Sequence, residues 1–161
     1  MHPRLELRTS GDYELMEVAD AISEIECAAF FTGLLTKSQS EQRRGVAEFQ
    51  AHVLAALVAA IPCVSWQSEC SAGTLHLDSI DICGRGDGYT VVIELDESRA
   101  DQVAKKFLSR MAIMHDIKVL YVALCYPGTQ SMNVSECRKY FGYCESLATR
   151  LGGSFAGFII E

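Results

Sequence analysis

The stretch 74–110 constrains the fold of this chain more than any other, because acidic residues interrupt two apolar runs there. The runs 75–83 and 89–95 are rich in β-branched and aliphatic residues, a composition that is typical of strands. Between them lies Gly-Arg-Gly-Asp-Gly, a cluster of turn-forming residues. The pattern therefore predicts an antiparallel β-hairpin.

The turn residues Asp87 and Gly88 fix the expected pairing of the two strands. Asp-Gly favours a two-residue type I′ turn, in which both central residues have positive φ. Residues whose numbers sum to 175 then face each other, so Asp81 lies opposite Glu94, with Asp96 further along the same face. Carboxylates with Cβ atoms about 5 Å apart destabilise a hairpin unless a cation binds between them. The opposite face is expected to supply the core through Ile80, Ile82, Ile93 and Leu95.

The bulk composition limits the architecture and the partners. The chain has 161 residues, 49% of them hydrophobic, which suits one domain over 1–161 with a helical extension over 1–40 and a core over 46–161. The net charge of −7 argues against an unassisted grip on nucleic acid. No apolar run approaches the ~20 residues that span a bilayer, so we expect no membrane segment.

The seven cysteines predict a reducing, cytoplasmic location, because their number is odd, no CxxC pair occurs and no leader peptide is evident. The nearest approach to a thiolate metal set is Cys63, Cys70, His76 and Cys83, whose spacing matches no zinc ribbon or finger. Core packing is favoured over zinc binding for these residues, since free cysteines behave as small apolar side chains.

The hydrophobic periodicity predicts the order helix, helix, strand, strand, strand, helix, strand, helix, strand. The first helix is expected to run to about Gly33 and the second over 45–62, after a polar linker. Ser98 is a candidate cap for the third helix, and the apolar run 119–125 is typical of a buried central strand. The order implies an α/β fold with a mixed central sheet and helices on both faces.

The acids of the hairpin are candidate ligands of Mg²⁺ or Mn²⁺, which take hard oxygen donors. Asp81, Glu94 and Asp96 form this candidate set. Lys105 or Lys106, on the helix that follows, would orient a water or stabilise developing charge on a phosphate. An alternative is that the hairpin loop is longer than two residues. The strands would then pair in another register, the acids would be separated, and their role would be purely structural.

The run LDSIDICGRGDGYTVVIELD, followed by a helix with Gln102 and Lys106, resembles the PD-(D/E)XK nuclease superfamily, which has the restriction-endonuclease-like fold. The resemblance covers 46–161. In that superfamily an Asp on one hairpin strand and an acid-x-Lys on the next assemble a Mg²⁺ site. The resemblance implies Asp81 as the first acid and Glu94 as the second.

Asp96 occupies the place of the motif lysine, and the resemblance implies that Lys105 or Lys106 replaces it from the helix, with Gln102 as a helix-motif residue. It also implies Glu48 as a further metal-binding acid, whereas the residue pattern alone favours a solvated helix face there. The expected function is metal-dependent cleavage of DNA, with a homodimer or a basic partner protein assisting. The alternative is a degenerate nuclease-like domain that serves as a binding or assembly module.

Overall fold

The computed structural model describes residues 1–71, 79–97, 99–114, 117–127 and 133–161. The strands are β1 (Arg4–Arg8), β2 (Ser65–Ser71), β3 (Ser79–Arg85), β4 (Tyr89–Asp96), β5 (Lys118–Cys125) and β6 (Ser154–Ile159). The helices are α1 (Tyr13–Ser23), α2 (Ala28–Phe31), α3 (Gln39–Ala60), α4 (Ala100–Ile113) and α5 (Val134–Arg150), with a 3₁₀ turn at Leu34–Thr36.

The strands form one six-stranded mixed sheet in the order β1-β6-β5-β4-β3-β2. The strands β4, β5 and β6 run parallel, whereas β2, β3 and β4 form an antiparallel meander and β1 pairs antiparallel with β6. The parallel pairs are joined through α4 and α5, as helical crossovers require. The predicted mixed sheet with an antiparallel hairpin is confirmed.

Helices cover both faces of the sheet because the central strands are apolar on both sides. On β5, Leu120, Val122 and Leu124 belong to the core cluster under α1 and α3. Tyr121 and Ala123 point the other way, into the cluster under α4 and α5. Burial of each large side chain contributes about 1.5–3 kcal/mol, so the sheet is held from both faces. The predicted flanking helices and buried central strand are confirmed.

The hairpin register is confirmed, but the predicted turn type is wrong. The paired positions run from Arg85 opposite Thr90 to Ile82 opposite Ile93, and each pair of numbers sums to 175. Gly88 has φ of +78°, whereas Asp87 is not among the residues with positive φ. These signs of φ are those of a type II turn rather than type I′. Both turns place two residues between the strands, and this loop length sets the register.

The predicted side of Ile80 is also wrong. Ile82, Ile93 and Leu95 pack under α1 and α3 as expected, whereas Ile80 packs in the cluster on the α4 side of the sheet. The alternation breaks at Asp81, whose carboxylate accepts a hydrogen bond from the Leu95 backbone at 2.7 Å. Both faces of the hairpin are therefore buried, and the acids lie on a covered face.

The first helical segment ends earlier than the sequence pattern indicates. Helix α1 ends at Ser23, and the chain bends before α2 because Glu26 accepts bonds from the Met1 ammonium at 3.0 Å and from the Ala28 backbone N–H at 2.8 Å. Part of the predicted polar linker is helical, since Ser38 and Glu41 form a capping box that starts α3. The candidate cap Ser98 lies outside the described residues.

Cys70 and Cys83 form a disulfide between β2 and β3, with their Cα atoms 6.3 Å apart. Both residues are buried, which confirms their packing in the core, but the expectation that they stay free is wrong for this pair. Cys63 is exposed, contrary to the core packing expected for it, and His76 lies outside the described residues. The two cysteines are brought together by the antiparallel pairing of β2 with β3, which could not be predicted from the sequence alone.

Reduction of this disulfide is expected to lower the free energy of unfolding by about 2–4 kcal/mol, because the bond closes a loop over a separation of 13 residues in the unfolded chain. Urea unfolding with and without a phosphine reductant measures the effect, and the variant Cys70→Ser with Cys83→Ser should match the reduced protein. Cys63→Ser is the control and should leave the midpoint unchanged. Equal midpoints for oxidised and reduced protein would contradict a stabilising bond.

None of the helices in the described parts of the chain combines the length and the apolar character needed to cross a membrane.

Candidate active site

The candidate site lies where β3 and β4 separate. The last residue pair of the ladder between these strands is Ile82 and Ile93. Beyond this pair, the Asp81 carboxylate rather than a backbone carbonyl accepts the hydrogen bond from the Leu95 N–H. Asp81 and Glu94 are the next positions in the predicted register. The end of the ladder thus brings the β3 acid beside the acids of β4.

Glu94 and Asp96 are two residues apart on β4, so both side chains lie on the face of the strand that α4 covers. Only 1% of the Glu94 side chain and 4% of the Asp96 side chain are exposed. Buried carboxylates are costly unless cations or donors lie beside them, so the covering helix must supply positive charge.

Lys106 of α4 places its ammonium among the three carboxylates. Its Nζ lies 3.1 Å from Glu94 Oε2, 3.2 Å from Asp96 Oδ1 and 3.5 Å from Asp81 Oδ2. It also donates to the Leu95 carbonyl at 3.0 Å. Lys106 therefore forms the centre of the cluster, and about a third of its side chain is exposed.

Arg110 lies one helical turn after Lys106 and completes the cluster, although the sequence analysis did not single it out. Its Nε donates to Glu94 Oε1 at 2.7 Å, and its Nη2 donates to the Ser79 carbonyl at 2.8 Å. Residues four apart share a helix face, so the spacing from Lys106 was the available signal. Arg110 ties the acid of β4 to the start of β3.

The cluster has an unused oxygen and, when all three acids are ionised, a net negative charge. Asp81, Glu94 and Asp96 carry three negative charges when ionised, against two positive charges on Lys106 and Arg110. Asp96 Oδ2 is buried and has no hydrogen-bond partner among the residues that the structure describes. Such an oxygen is available to a cation or to a donor on a ligand.

Burial dominates the titration of these acids. It raises the pKa of Glu94 to about 7, with Lys106 and Arg110 opposing the shift and Asp81 adding to it. Burial likewise raises the pKa of Asp96, against the effect of Lys106. For Lys106, burial alone would lower the pKa, but the three carboxylates more than offset it and raise the pKa above its ordinary value. The ammonium therefore stays charged throughout the neutral range.

Replacing Glu94 with glutamine is expected to remove a decline in stability between pH 4.5 and about 7. Because its folded-state pKa is raised, Glu94 contributes stability that is fully present below the unfolded value and is lost as pH rises through about 7. Urea unfolding of wild type and variant at pH 5, 6 and 8 measures this slope. Glu17→Gln, at an exposed position, is the control, and an unchanged slope in Glu94→Gln would refute the assignment.

Three residues predicted for the site lie outside the cluster. Lys105 is 69% exposed and pairs with Asp101 at 3.4 Å, and Gln102 donates to the same carboxylate at 3.3 Å. Glu48 is 63% exposed and pairs with Arg44 on α3. The described contacts do not bring Lys105, Gln102 or Glu48 to the three carboxylates, because their side chains leave their helices on solvent-facing sides.

Gln50 connects α3 to the cluster, and the sequence analysis missed it. Its Nε2 donates to the Asp81 carbonyl at 2.7 Å and to Glu69 Oε1 at 2.9 Å. Glu69 also accepts from the Ser79 hydroxyl at 2.8 Å. Since Glu48 is two residues earlier on the same helix, it points roughly 200° away from Gln50. Gln50 fixes the backbone of β3 at the acid.

The three carboxylates supply the oxygen ligands that a hard divalent cation requires, but the Lys106 ammonium would have to move before a metal could bind. Within the described ranges, no group of three or more acids, histidines or cysteines has the geometry of a metal site. The Lys106 ammonium lies between the carboxylates that would be ligands. Because Lys106 has a flexible stem, a metal would be held only if its ammonium moved aside.

Comparison with protein-family models and with curated proteins finds no match to this chain. The functional interpretation therefore depends on the residues and geometry of the cluster.

Proposed function

We propose that this protein is a metal-dependent phosphodiesterase that cleaves DNA at the cluster of Asp81, Glu94, Asp96 and Lys106. One observation carries the proposal: acids from two strands of a hairpin converge on a lysine from the following helix, with distances of 3.1–3.5 Å. Stable cores do not need three carboxylates at one point, so a catalytic role is the better explanation of their cost.

The order of elements supports this proposal. A helix, three antiparallel strands, a helix and a parallel strand follow each other from α3 to β5. Asp81 lies on the first strand of the hairpin, and Glu94 and Asp96 lie on the second. This is the placement that the resemblance to PD-(D/E)XK nucleases implies. In this proposal Lys106, rather than Lys105, takes the role of the displaced motif lysine.

Asp81, Glu94 and Asp96 are the residues that would hold Mg²⁺ or Mn²⁺. A bound divalent ion would polarise the phosphate and lower the pKa of a water. The unpartnered Asp96 Oδ2 supports this assignment, as does the net negative charge of the cluster when all three acids are ionised.

The chain's own groups have separate roles in this proposal. Once its ammonium has moved aside for the metal, Lys106 would hydrogen-bond an attacking water or an oxygen of the phosphate, since 31% of its side chain is exposed. Arg110 is a positioning residue that holds Glu94 through Nε. Gln50 holds the Asp81 backbone from the other side of the sheet. The carboxylates are therefore fixed before any substrate binds.

The proposal is tested by incubating the protein with plasmid DNA and with labelled single-stranded DNA in Mg²⁺, Mn²⁺ or EDTA. Cleavage is expected with either metal and none with EDTA. Lys106→Ala should lose cleavage, while Lys105→Ala, the matched change one residue earlier, should retain it. Equal loss in both variants, or cleavage in EDTA, would argue against this site.

A second candidate function is a nuclease-like assembly module without catalysis. The observation that favours it is the Lys106 ammonium, which already neutralises the carboxylates from a central position. This candidate predicts no cleavage on either DNA. A homodimer or a basic partner is proposed for both functions, because a chain of net charge −7 needs added positive charge to hold DNA firmly.

A further inference from the structure

A groove lies along α3, from the N-terminal turn of this helix to Gln50. Its volume is about 450 Å³. Gln39, Gln42, Arg43 and Gln50 line it at spacings that place them on one face of α3. From Gln39 to Gln50 this face is about 16 Å long at 1.5 Å per residue. The groove is therefore an elongated channel with polar side chains along one wall.

The far end of the groove lies at the sheet edge that also carries the carboxylate cluster. Gln50 lines the groove and donates to the Asp81 carbonyl at 2.7 Å. Glu97, directly after Asp96, and Tyr126, whose N–H donates to the Asp96 carbonyl at 2.8 Å, line the same end. A chain lying in the groove would thus reach the sheet edge at which β4 ends, and from there it would pass round this edge to the acids on the α4 face.

The charges and apolar surfaces of the groove suit a nucleotide strand. Arg43 has no ion-pair partner among the residues that the structure describes, and it is available to a phosphate. Leu34 and Val46 give an apolar wall, and the Tyr126 ring stacks on Phe31 with centroids 5.5 Å apart. The Glu97 carboxylate repels phosphate at the far end, so the phosphate contact belongs at Arg43.

We propose that this α3 groove binds the sugar-phosphate backbone of single-stranded DNA and leads that strand to the sheet edge at which the carboxylate cluster lies. The inference rests on the proposed function and adds its substrate class. The volume of the groove, about 450 Å³, is that of a small-ligand pocket, which is too small to enclose a duplex. The net charge of −7 also disfavours the broad phosphate contact that a duplex requires.

The test measures binding of a fluorescein-labelled single-stranded oligonucleotide by anisotropy in EDTA, so that binding is separate from cleavage. Arg43→Ala is expected to raise Kd about tenfold, as loss of one charged hydrogen bond to phosphate predicts. A plot of the logarithm of the association constant against the logarithm of salt concentration has a negative slope, and the magnitude of this slope should decrease by about 0.7 in the variant. Arg44→Ala removes the same charge from the adjacent residue, which pairs with Glu48 outside the groove, and should change Kd less than twofold.

A blunt hairpin duplex of equal length should bind at least about tenfold more weakly than the single strand. Equal effects of Arg43→Ala and Arg44→Ala, equal affinity for duplex, or no binding of the single strand would each overturn the groove proposal. Cleavage by a protein that fails these tests would leave the nuclease function standing. Binding at Arg43 without any cleavage would retain the groove and remove the nuclease function.

Discussion

Replacing Arg110 with methionine is expected to lower the free energy of unfolding by about 3–5 kcal/mol at pH 8.5, because Glu94 would be left as a buried charge without its nearest cation. Arg110 and Glu94 are both almost fully buried, and their atoms are 2.7 Å apart. Methionine retains much of the stem and its packing, so the loss reports the missing guanidinium.

The pH dependence identifies the cause of this loss. Burial already raises the pKa of Glu94 to about 7, and removal of Arg110 would raise this pKa further. At pH 6 the carboxyl group of the variant therefore takes up a proton, and the destabilisation should be smaller than at pH 8.5. Adding Glu94→Gln to Arg110→Met should recover part of the loss at the higher pH.

Urea unfolding at both pH values measures the effect, with Arg150→Met at an exposed position of α5 as the matched control. The control should change the free energy of unfolding by less than about 0.5 kcal/mol. A loss in Arg110→Met that is the same at pH 6 and pH 8.5 would mean that packing, rather than the Glu94 charge, explains the result.

Replacing Asp81 or Asp96 with asparagine is expected to lower the rate of DNA cleavage by about 10²–10³-fold or more, since each change removes a negative charge from the proposed metal site. Asparagine keeps the size of the side chain and one oxygen. The Asp81 variant retains an acceptor for the Leu95 N–H, so the hairpin should still form.

Single-turnover cleavage of labelled DNA in Mn²⁺ measures both rates. Asp101→Asn is the matched control, because this aspartate is exposed on α4 and contacts Lys105 outside the cluster. Unfolding midpoints of all three variants separate lost chemistry from lost structure. A folded Asp96→Asn protein that cleaves as fast as wild type would exclude Asp96 from the reaction.

The hairpin shows how far local sequence rules extend. Asp87-Gly88 gave the correct register although the turn differs in type, because the length of the loop sets the pairing. The alternation of Glu94 and Asp96 along β4 then placed both acids on one face. These features depend on neighbours in the chain, and for that reason they could be predicted.

The remaining parts of the site depend on packing between distant segments. The choice of Lys106 over Lys105 follows from the rotation of α4 against the sheet, which also brings in Arg110. The contact of Gln50 with Asp81 spans 31 residues. The Cys70–Cys83 disulfide and the side of Ile80 depend on how β2 and β3 meet, with Glu69 at φ of +51°. Helical periodicity puts Lys106 and Arg110 on one face of α4, but it does not tell which segments meet that face.

The central claim is that the three carboxylates hold a divalent metal ion, and calorimetric titration with Mn²⁺ tests it most directly. Wild-type protein should bind one ion per chain, and Asp96→Asn should lose this binding while Asp101→Asn keeps it. Absence of binding to the wild-type protein, or equal binding to Asp96→Asn, would contradict a metal site at this cluster.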